Sequence, residues 1–286
     1  MKNPGRAPVL FLHGGAGNWD GRRAAGAEAG CREAGMEAWR GLDAGGPALE
    51  SVCHAVRLLE NDPRFNAGRG SVPNRDGDVC MDASVMVSGN CEAGAVAEIR
   101  HFPNPVLLAR AVMEHSPHVL LFGAGAECFA DEHGFDRCDP DDLRGEDEAP
   151  DHETVGAVAL DMNGRLAAAT STGGRRGSLP GRVGDSPIPG AGVWADRHVA
   201  ISCTGIGEAI LRVALARHVS VLVARGVTVR EAAEEAMREL ERETGSEAGL
   251  IAVTASGAIA RVHNAAGMAT CVVLDGETHT ACLADS

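Results

Sequence analysis

His152-Glu153-Thr154-Val155-Gly156-Ala157-Val158-Ala159-Leu160 is the seam of this chain, where a charged stretch gives way to apolar residues. Upstream, residues 131–153 hold eleven carboxylates against Arg137 and Arg144. From 136 to 153 there is no periodicity, and Pro140 and Pro150 interrupt the run, so it reads as an exposed, flexible linker. Downstream, the apolar residues read as a strand over 155–161. Thr154 then has two readings. It is the first residue of a strand, or it becomes a new N-terminus whose hydroxyl and free amine share one residue. Cutting the bond after Glu153 would give it an α-amine with a reference pKa of about 7.7–8.0. That amine could serve as base for the otherwise weakly nucleophilic hydroxyl.

Working outward, Asn163-Gly164 is a hairpin signal joining strands at 155–161 and 166–171. Ser88-Gly89-Asn90 joins another pair, 79–87 and 93–99. Further strands are expected at 9–12, 193–195, 199–203, 250–253, 258–262, 271–274 and 280–283. Helices are expected at 20–41, 46–61, 105–114, 125–132, 208–224 and 229–243. The second carries Ala48, Val52, Ala55, Val56 and Leu59 at helical spacing and ends at Asn61-Asp62-Pro63. Hairpins imply antiparallel pairing, which fits a Rossmann plan poorly, and no G-x-G-x-x-G is present. The pattern predicts an α+β sandwich of two mainly antiparallel sheets covered by helices, in a single domain spanning 1–286.

Composition removes several classes of chemistry. Lys2 is the only lysine, which excludes a Walker A lysine and an internal Schiff base; there is no tyrosine at all. Nine scattered cysteines without a C-x-x-C read as reduced, mostly buried thiols. A net charge of -14 argues against nucleic-acid binding. No apolar run reaches the roughly 20 residues a membrane helix needs, and the start of the chain does not read as a signal peptide. A cytoplasmic location is the expectation.

Three other stretches carry chemistry. His13-Gly14-Gly15-Ala16-Gly17 follows a strand, as a lipase-type oxyanion loop does, but the G-x-S-x-G which that fold needs is missing. The loop 173–192 holds seven glycines and the run Arg182-Val183-Gly184-Asp185. Its guanidinium can fork onto a carboxylate while its carboxylate meets an ammonium, as the zwitterionic head of an amino acid requires, unless the two form only a surface ion pair. Thr204-Gly205-Ile206-Gly207 follows an apolar strand and opens a helix. It suits an oxyanion hole, or a plain helix start with Thr204 as N-cap.

Six stretches in order carry a resemblance. They are Phe65-Asn66-Ala67-Gly68-Arg69-Gly70, Met81-Asp82-Ala83-Ser84, His152-Glu153-Thr154-Val155-Gly156, Thr170-Ser171-Thr172-Gly173-Gly174, Gly181-Arg182-Val183-Gly184-Asp185-Ser186-Pro187-Ile188 and Thr204-Gly205-Ile206-Gly207-Glu208. Together they resemble the plant-type asparaginase/isoaspartyl peptidase family of N-terminal nucleophile hydrolases, from His13 to about Arg212. The resemblance implies a four-layer αββα fold made as a precursor and cut between Glu153 and Thr154, giving an α chain of 1–153 and a β chain of 154–286. It implies Thr154 as nucleophile and base, with Thr172 bonded to it, and Thr204 and Gly205 as oxyanion hole. Arg182 would take the substrate carboxylate and Asp185 its ammonium, with Asn66, Val183, Gly184, Ile206 and Gly207 bordering the site.

The resemblance also implies hydrolysis of L-asparagine and β-aspartyl dipeptides with no catalytic cofactor. A structural sodium would be held by the backbone carbonyls of Leu59, Glu60, Asp62, Phe65, Ala67 and Arg69, and the assembly would be a homodimer of αβ units. Two residues depart from the family pattern. Glu153 stands where Gly or Asp is usual, and Cys80 replaces a frequent Glu. Glycosylasparaginase, which shares the GRVGDSPIPGAG stretch, and an unprocessed amino-acid-binding homologue are the rival readings.

Overall fold

The computed structural model describes residues 7–19, 21–145 and 153–283. In chain order the elements are β1 (Val9–Gly17), α1 (Gly21–Asp43), α2 (Ala48–Glu60), β2 (Met81–Val87), β3 (Ala93–Ile99), α3 (Pro105–His115), β4 (Leu120–Phe122) and α4 (Gly123–Glu132). After the seam come β5 (Val155–Leu160), β6 (Leu166–Thr172), β7 (Val193–Ala195), β8 (Val199–Gly205), α5 (Gly207–Val213), α6 (Leu215–Ala224) and α7 (Val229–Thr244). The chain then runs through β9 (Ala248–Thr254), β10 (Ile259–His263), β11 (Gly267–Leu274) and β12 (Glu277–Leu283).

The strands form two sheets. One has eight strands in the order β12-β11-β1-β5-β6-β2-β3-β4, the other four in the order β10-β9-β8-β7. Every pairing is antiparallel except β3 with β4. Helices α1 to α4 cover the outer face of the larger sheet, and α5 to α7 that of the smaller. The two sheets face each other, and this is the four-layer αββα sandwich.

Why both sheets are apolar on both faces follows from the period of two along a strand. In β5, Val155, Ala157 and Ala159 point into the helix-side core, while Val158 and Leu160 point between the sheets. In β8, Val199, Ile201 and Cys203 face the helices and Ala200 faces the other sheet. Helix α1 meets its sheet with small residues at three- and four-residue steps, Ala24, Ala27, Cys31, Ala34 and Ala38, so it packs closely.

Four expectations change. β1 runs on through Gly17, because His13-Gly14-Gly15-Ala16 is taken up as a bulge against β11 and does not leave the sheet. The helix expected over 208–224 is two. Ala214 turns left-handed (φ 48°), and the Ala216 and Arg217 amides bond the carbonyls of Ala191 and Gly190, which redirects the chain. β4 is an edge strand with no pattern to announce it. The linker is also ordered in its first half: the Cys138 amide bonds the His101 carbonyl, Leu143 is fully buried, and the Gly145 amide bonds Ser71. Residues 146–152, including His152 of the seam, lie outside those described.

Candidate active site

Strand alternation assembles the site. Thr154 precedes β5 by one residue, so it falls on the face that carries Gly156, Val158 and Leu160, toward the smaller sheet. The β5–β6 register pairs Val155 with Ser171, which sets Thr172 beside Thr154. The same rule puts Thr170 and Thr172 of β6 and Ser202 and Thr204 of β8 between the sheets. A small pocket at this end is lined by Thr154, Thr172, Gly174, Arg175, Arg182, Gly184, Asp185, Ser186, Gly205, Ile206 and Gly207. Its free volume, about 10 Å³, is that of a single water.

The carbonyl before Thr154 is gripped by two donors. Asn66 donates from Nδ2 to the Glu153 carbonyl oxygen at 2.9 Å, and Thr172 donates from Oγ1 to the same oxygen at 3.2 Å. Asn66 is held from its other end, its Oδ1 accepting from the Val72 amide at 3.0 Å. Thr172 was expected to bond the Thr154 hydroxyl; here its hydroxyl donates to the Glu153 carbonyl.

Glu153 itself corrects the reading of an exposed linker end. Its side chain is buried, 3.2 Å from Arg23 Nη2, and lies against Gly15, where a Cβ would come within 2.8 Å of it. Burial pushes its carboxyl up to about 8, with Arg23 opposing, and Oε2 has no hydrogen-bond partner. The bulged strand β1 thus supplies the wall behind the Glu153–Thr154 bond. From the same strand His13 is fully buried, its Nε2 2.7 Å from Ser202 Oγ. Burial drives its pKa down to about 3, so the ring is neutral; the Thr154 backbone works against that shift.

On the other side of the pocket, Arg182 and Asp185 come together, though not as a surface ion pair. Arg182 reaches Glu208 at 2.9 and 3.2 Å, and this contact draws the Glu208 carboxyl below its usual range. Asp185 is buried with Oδ2 unpartnered, and burial pushes its carboxyl up to about 7 despite the nearby guanidinium. Asp185 lines the pocket, and a buried carboxylate with an unpartnered oxygen is suited to a cation. Asp82 fixes the loop: its Oδ2 accepts from the Gly184 amide at 3.2 Å and its Oδ1 from Glu98 at 3.0 Å.

Gly207 leaves room for the two charged groups, since a Cβ there would stand 2.8 Å from Asp185 Oδ1 and 2.9 Å from Arg182 Nη2. Gly207→Ala is therefore expected to push both groups aside. Displacement on the order of 1 Å lowers catalysis by about 100-fold, to be read as kcat/KM with an unchanged far-UV circular dichroism spectrum.

The expected oxyanion pair is split. Gly205 lines the pocket with a φ of 128° that suits glycine, whereas Thr204 is buried behind it in β8, its Oγ1 accepting from the Ala16 amide at 3.3 Å. Thr204 is not a helix N-cap; that position belongs to Ile206. Val183 is half-buried beside the pocket without lining it. Gly174, Arg175 and Ser186 line the pocket and were not expected, and Arg23 and Glu208 enter as charge partners.

A family model described as Asparaginase matches residues 6–150 and 141–282. The chain belongs to the asparaginase family. Within it, the chain is 44% identical over 265 residues to the isoaspartyl peptidase of Escherichia coli (strain K12), covering 84% of this chain and 83% of that protein. It is 43% identical over 289 residues to the isoaspartyl peptidase/L-asparaginase of Mus musculus, covering 94% and 89%. The Danio rerio protein of the same name is 38% identical over 291 residues, covering 95% and 94%. The αββα sandwich is thus that of the asparaginase family, and no helix among the described residues is long and apolar enough to cross a membrane.

Proposed function

We propose that this chain is an L-asparaginase and β-aspartyl peptidase that activates itself by cutting its backbone between Glu153 and Thr154. The observation that carries the reading is the placement of Thr154 next to a carbonyl already held by two donors, in the pocket that also contains Arg182 and the unpartnered Asp185 carboxylate. In the uncut chain the Thr154 hydroxyl attacks the Glu153 carbonyl. Asn66 and Thr172 stabilise the oxyanion, and the peptide nitrogen leaves as the acyl group shifts to oxygen. Water then opens the ester, leaving chains of 1–153 and 154–286.

The freed α-amine becomes the base for the same hydroxyl. Thr154 attacks the side-chain carbonyl of asparagine or of a β-aspartyl dipeptide, with Gly205 and Thr204 on the oxyanion side. Ammonia or an amino acid leaves, and water releases aspartate from the ester. Arg182 takes the substrate's α-carboxylate and Asp185 its ammonium, with Gly184, Ile206 and Gly207 shaping the pocket. No cofactor enters these steps.

The carbonyls of Leu59, Glu60, Asp62, Phe65, Ala67 and Arg69 are proposed to hold a structural sodium. The turn at residues 68–70 supports this. Gly68 and Gly70 let the backbone of this turn approach the carbonyl oxygens of Glu60 and Phe65, two of the proposed donors, more closely than any side chain would allow. The ion has no part in the reaction. Assembly of the matured chain as a homodimer of αβ units is likewise proposed here.

Asp185 gives the reading a pH signature. Its proton is held up to about 7, and only the ionised form pairs with an ammonium. KM for L-asparagine is expected to rise as pH falls below 7, roughly tenfold per unit once Asp185 is protonated. Asp185→Asn should give a high KM that no longer depends on pH in that range. The activity itself is tested by supplying L-asparagine and β-aspartyl-leucine to the purified protein and measuring ammonia and leucine. Release of neither would overturn the proposal.

A further inference from the structure

Outside the nucleophile pocket lies a cleft of about 590 Å³ whose lining includes Arg175, Arg176, Leu179, Arg182 and Glu208. In a chain of net charge -14, three guanidiniums against one carboxylate is a local reversal of sign. Glu208 is committed to Arg182. Arg175 lines both this cleft and the pocket of Thr154, so it stands at the passage between them. Among the described residues no carboxylate lies within ion-pair distance of it, and its field reaches Glu208 only at longer range. Leu179, with 60% of its surface exposed, is an unusually bare apolar side chain on the same cleft.

The site described above accounts for the aspartyl half of a substrate: Arg182 for one carboxylate, Asp185 for one ammonium. It gives Arg175 nothing to do. Asparagine, which releases ammonia, would leave Arg175 idle as well. A β-aspartyl dipeptide differs by one charge, since its leaving amino acid carries an α-carboxylate two bonds beyond the scissile nitrogen. That carboxylate must sit just outside the nucleophile pocket, where Arg175 stands.

We infer that Arg175 determines leaving-group specificity, its guanidinium taking the free α-carboxylate of the amino acid released from a β-aspartyl dipeptide while Leu179 supports that amino acid's side chain. The inference rests on the hydrolase reading and deepens it. In the step concerned, the bond from Thr154 Oγ1 to the aspartyl carbonyl carbon forms and the carbon–nitrogen bond breaks. The hydroxyl proton passes through the α-amine to the leaving nitrogen. Arg175 binds the leaving amino acid by a forked, charge-assisted pair and touches no reacting atom.

The test compares β-aspartyl-leucine with β-aspartyl-leucinamide, which differ only in the carboxylate at issue. Matured wild-type protein is expected to favour the acid by about 10- to 100-fold in kcat/KM, the range for a hydrogen-bonded charge. Arg175→Gln should bring that ratio near one, and Arg175→Lys should keep most of it. A ratio cancels any general loss of activity, and the wild-type comparison stands even where a variant fails to mature. Equal rates on acid and amide in the wild type, or a ratio untouched by Arg175→Gln, would overturn the assignment while asparagine hydrolysis stands. Turnover of neither dipeptide nor asparagine would sink both readings.

Discussion

Thr154→Ala is expected to stay a single chain and to lose hydrolysis by more than about 10⁴-fold, the scale for deleting a nucleophile. One hydroxyl is asked to serve twice, first on the Glu153 carbonyl and then on substrate, so one substitution removes both activities. Burial argues that the loss is chemical. Thr154 is 4% exposed before a strand paired on both sides, and losing a hydroxyl and a methyl there costs far less than unfolding. Thr154→Ser separates the two effects. It keeps the oxygen and the amine, so it should still cut itself, more slowly, and recover part of the activity. An alanine variant that matures and retains hydrolysis would show that another group is the nucleophile.

The second large effect is expected at Asn66. Its Nδ2 donates to the Glu153 carbonyl, and its Oδ1 is tied to Val72, so the donor is aimed before any charge develops on the oxygen. Losing one such donor typically costs about 10²- to 10³-fold. Asn66→Ala should slow self-cleavage by that amount, leaving Thr172 as the remaining donor. The readout is the fraction of uncut chain against time after refolding. Nδ2 also donates to the Gly174 carbonyl at 2.8 Å, so some stability is lost as well. A thermal melt of the uncut variant separates the two. Cleavage at the wild-type rate would remove Asn66 from the first step.

How much of this was legible in the sequence depends on where each partner lies along the chain. Thr154 and Thr204 could be singled out because each lies at the start or end of a strand whose apolar run and glycine neighbours are local facts, whereas Thr172 came only with the family resemblance. The sheet pairing follows from the Asn163-Gly164 and Ser88-Gly89-Asn90 turns. Glu153 was misread for a physical reason. It ends a run of carboxylates that solvates itself, and what buries it is Arg23 and Gly15, well over a hundred residues away. Nothing in an arginine-rich helix separates Arg23 from Arg22. Glu208 was quoted only as part of a motif, and its claim on Arg182 appears once the loop folds over α5. Asp82 likewise reveals its hold on Gly184 only across a hundred residues.

The buried Glu153 also changes what maturation means here. A carboxyl pushed up to about 8 by burial gains its charge reluctantly, and among the described residues Arg23 is the one cation within ion-pair distance of it. Cleavage after Glu153, as proposed, would add a terminal carboxylate to the same buried residue.

The claim on which everything else rests is the bond broken. Intact-mass analysis of the purified protein, with sequencing of the new N-terminus, tests it directly. The account predicts two fragments of residues 1–153 and 154–286, the second beginning Thr-Val-Gly-Ala. A fully active protein that remains one chain, or one cut at any other bond, would contradict it.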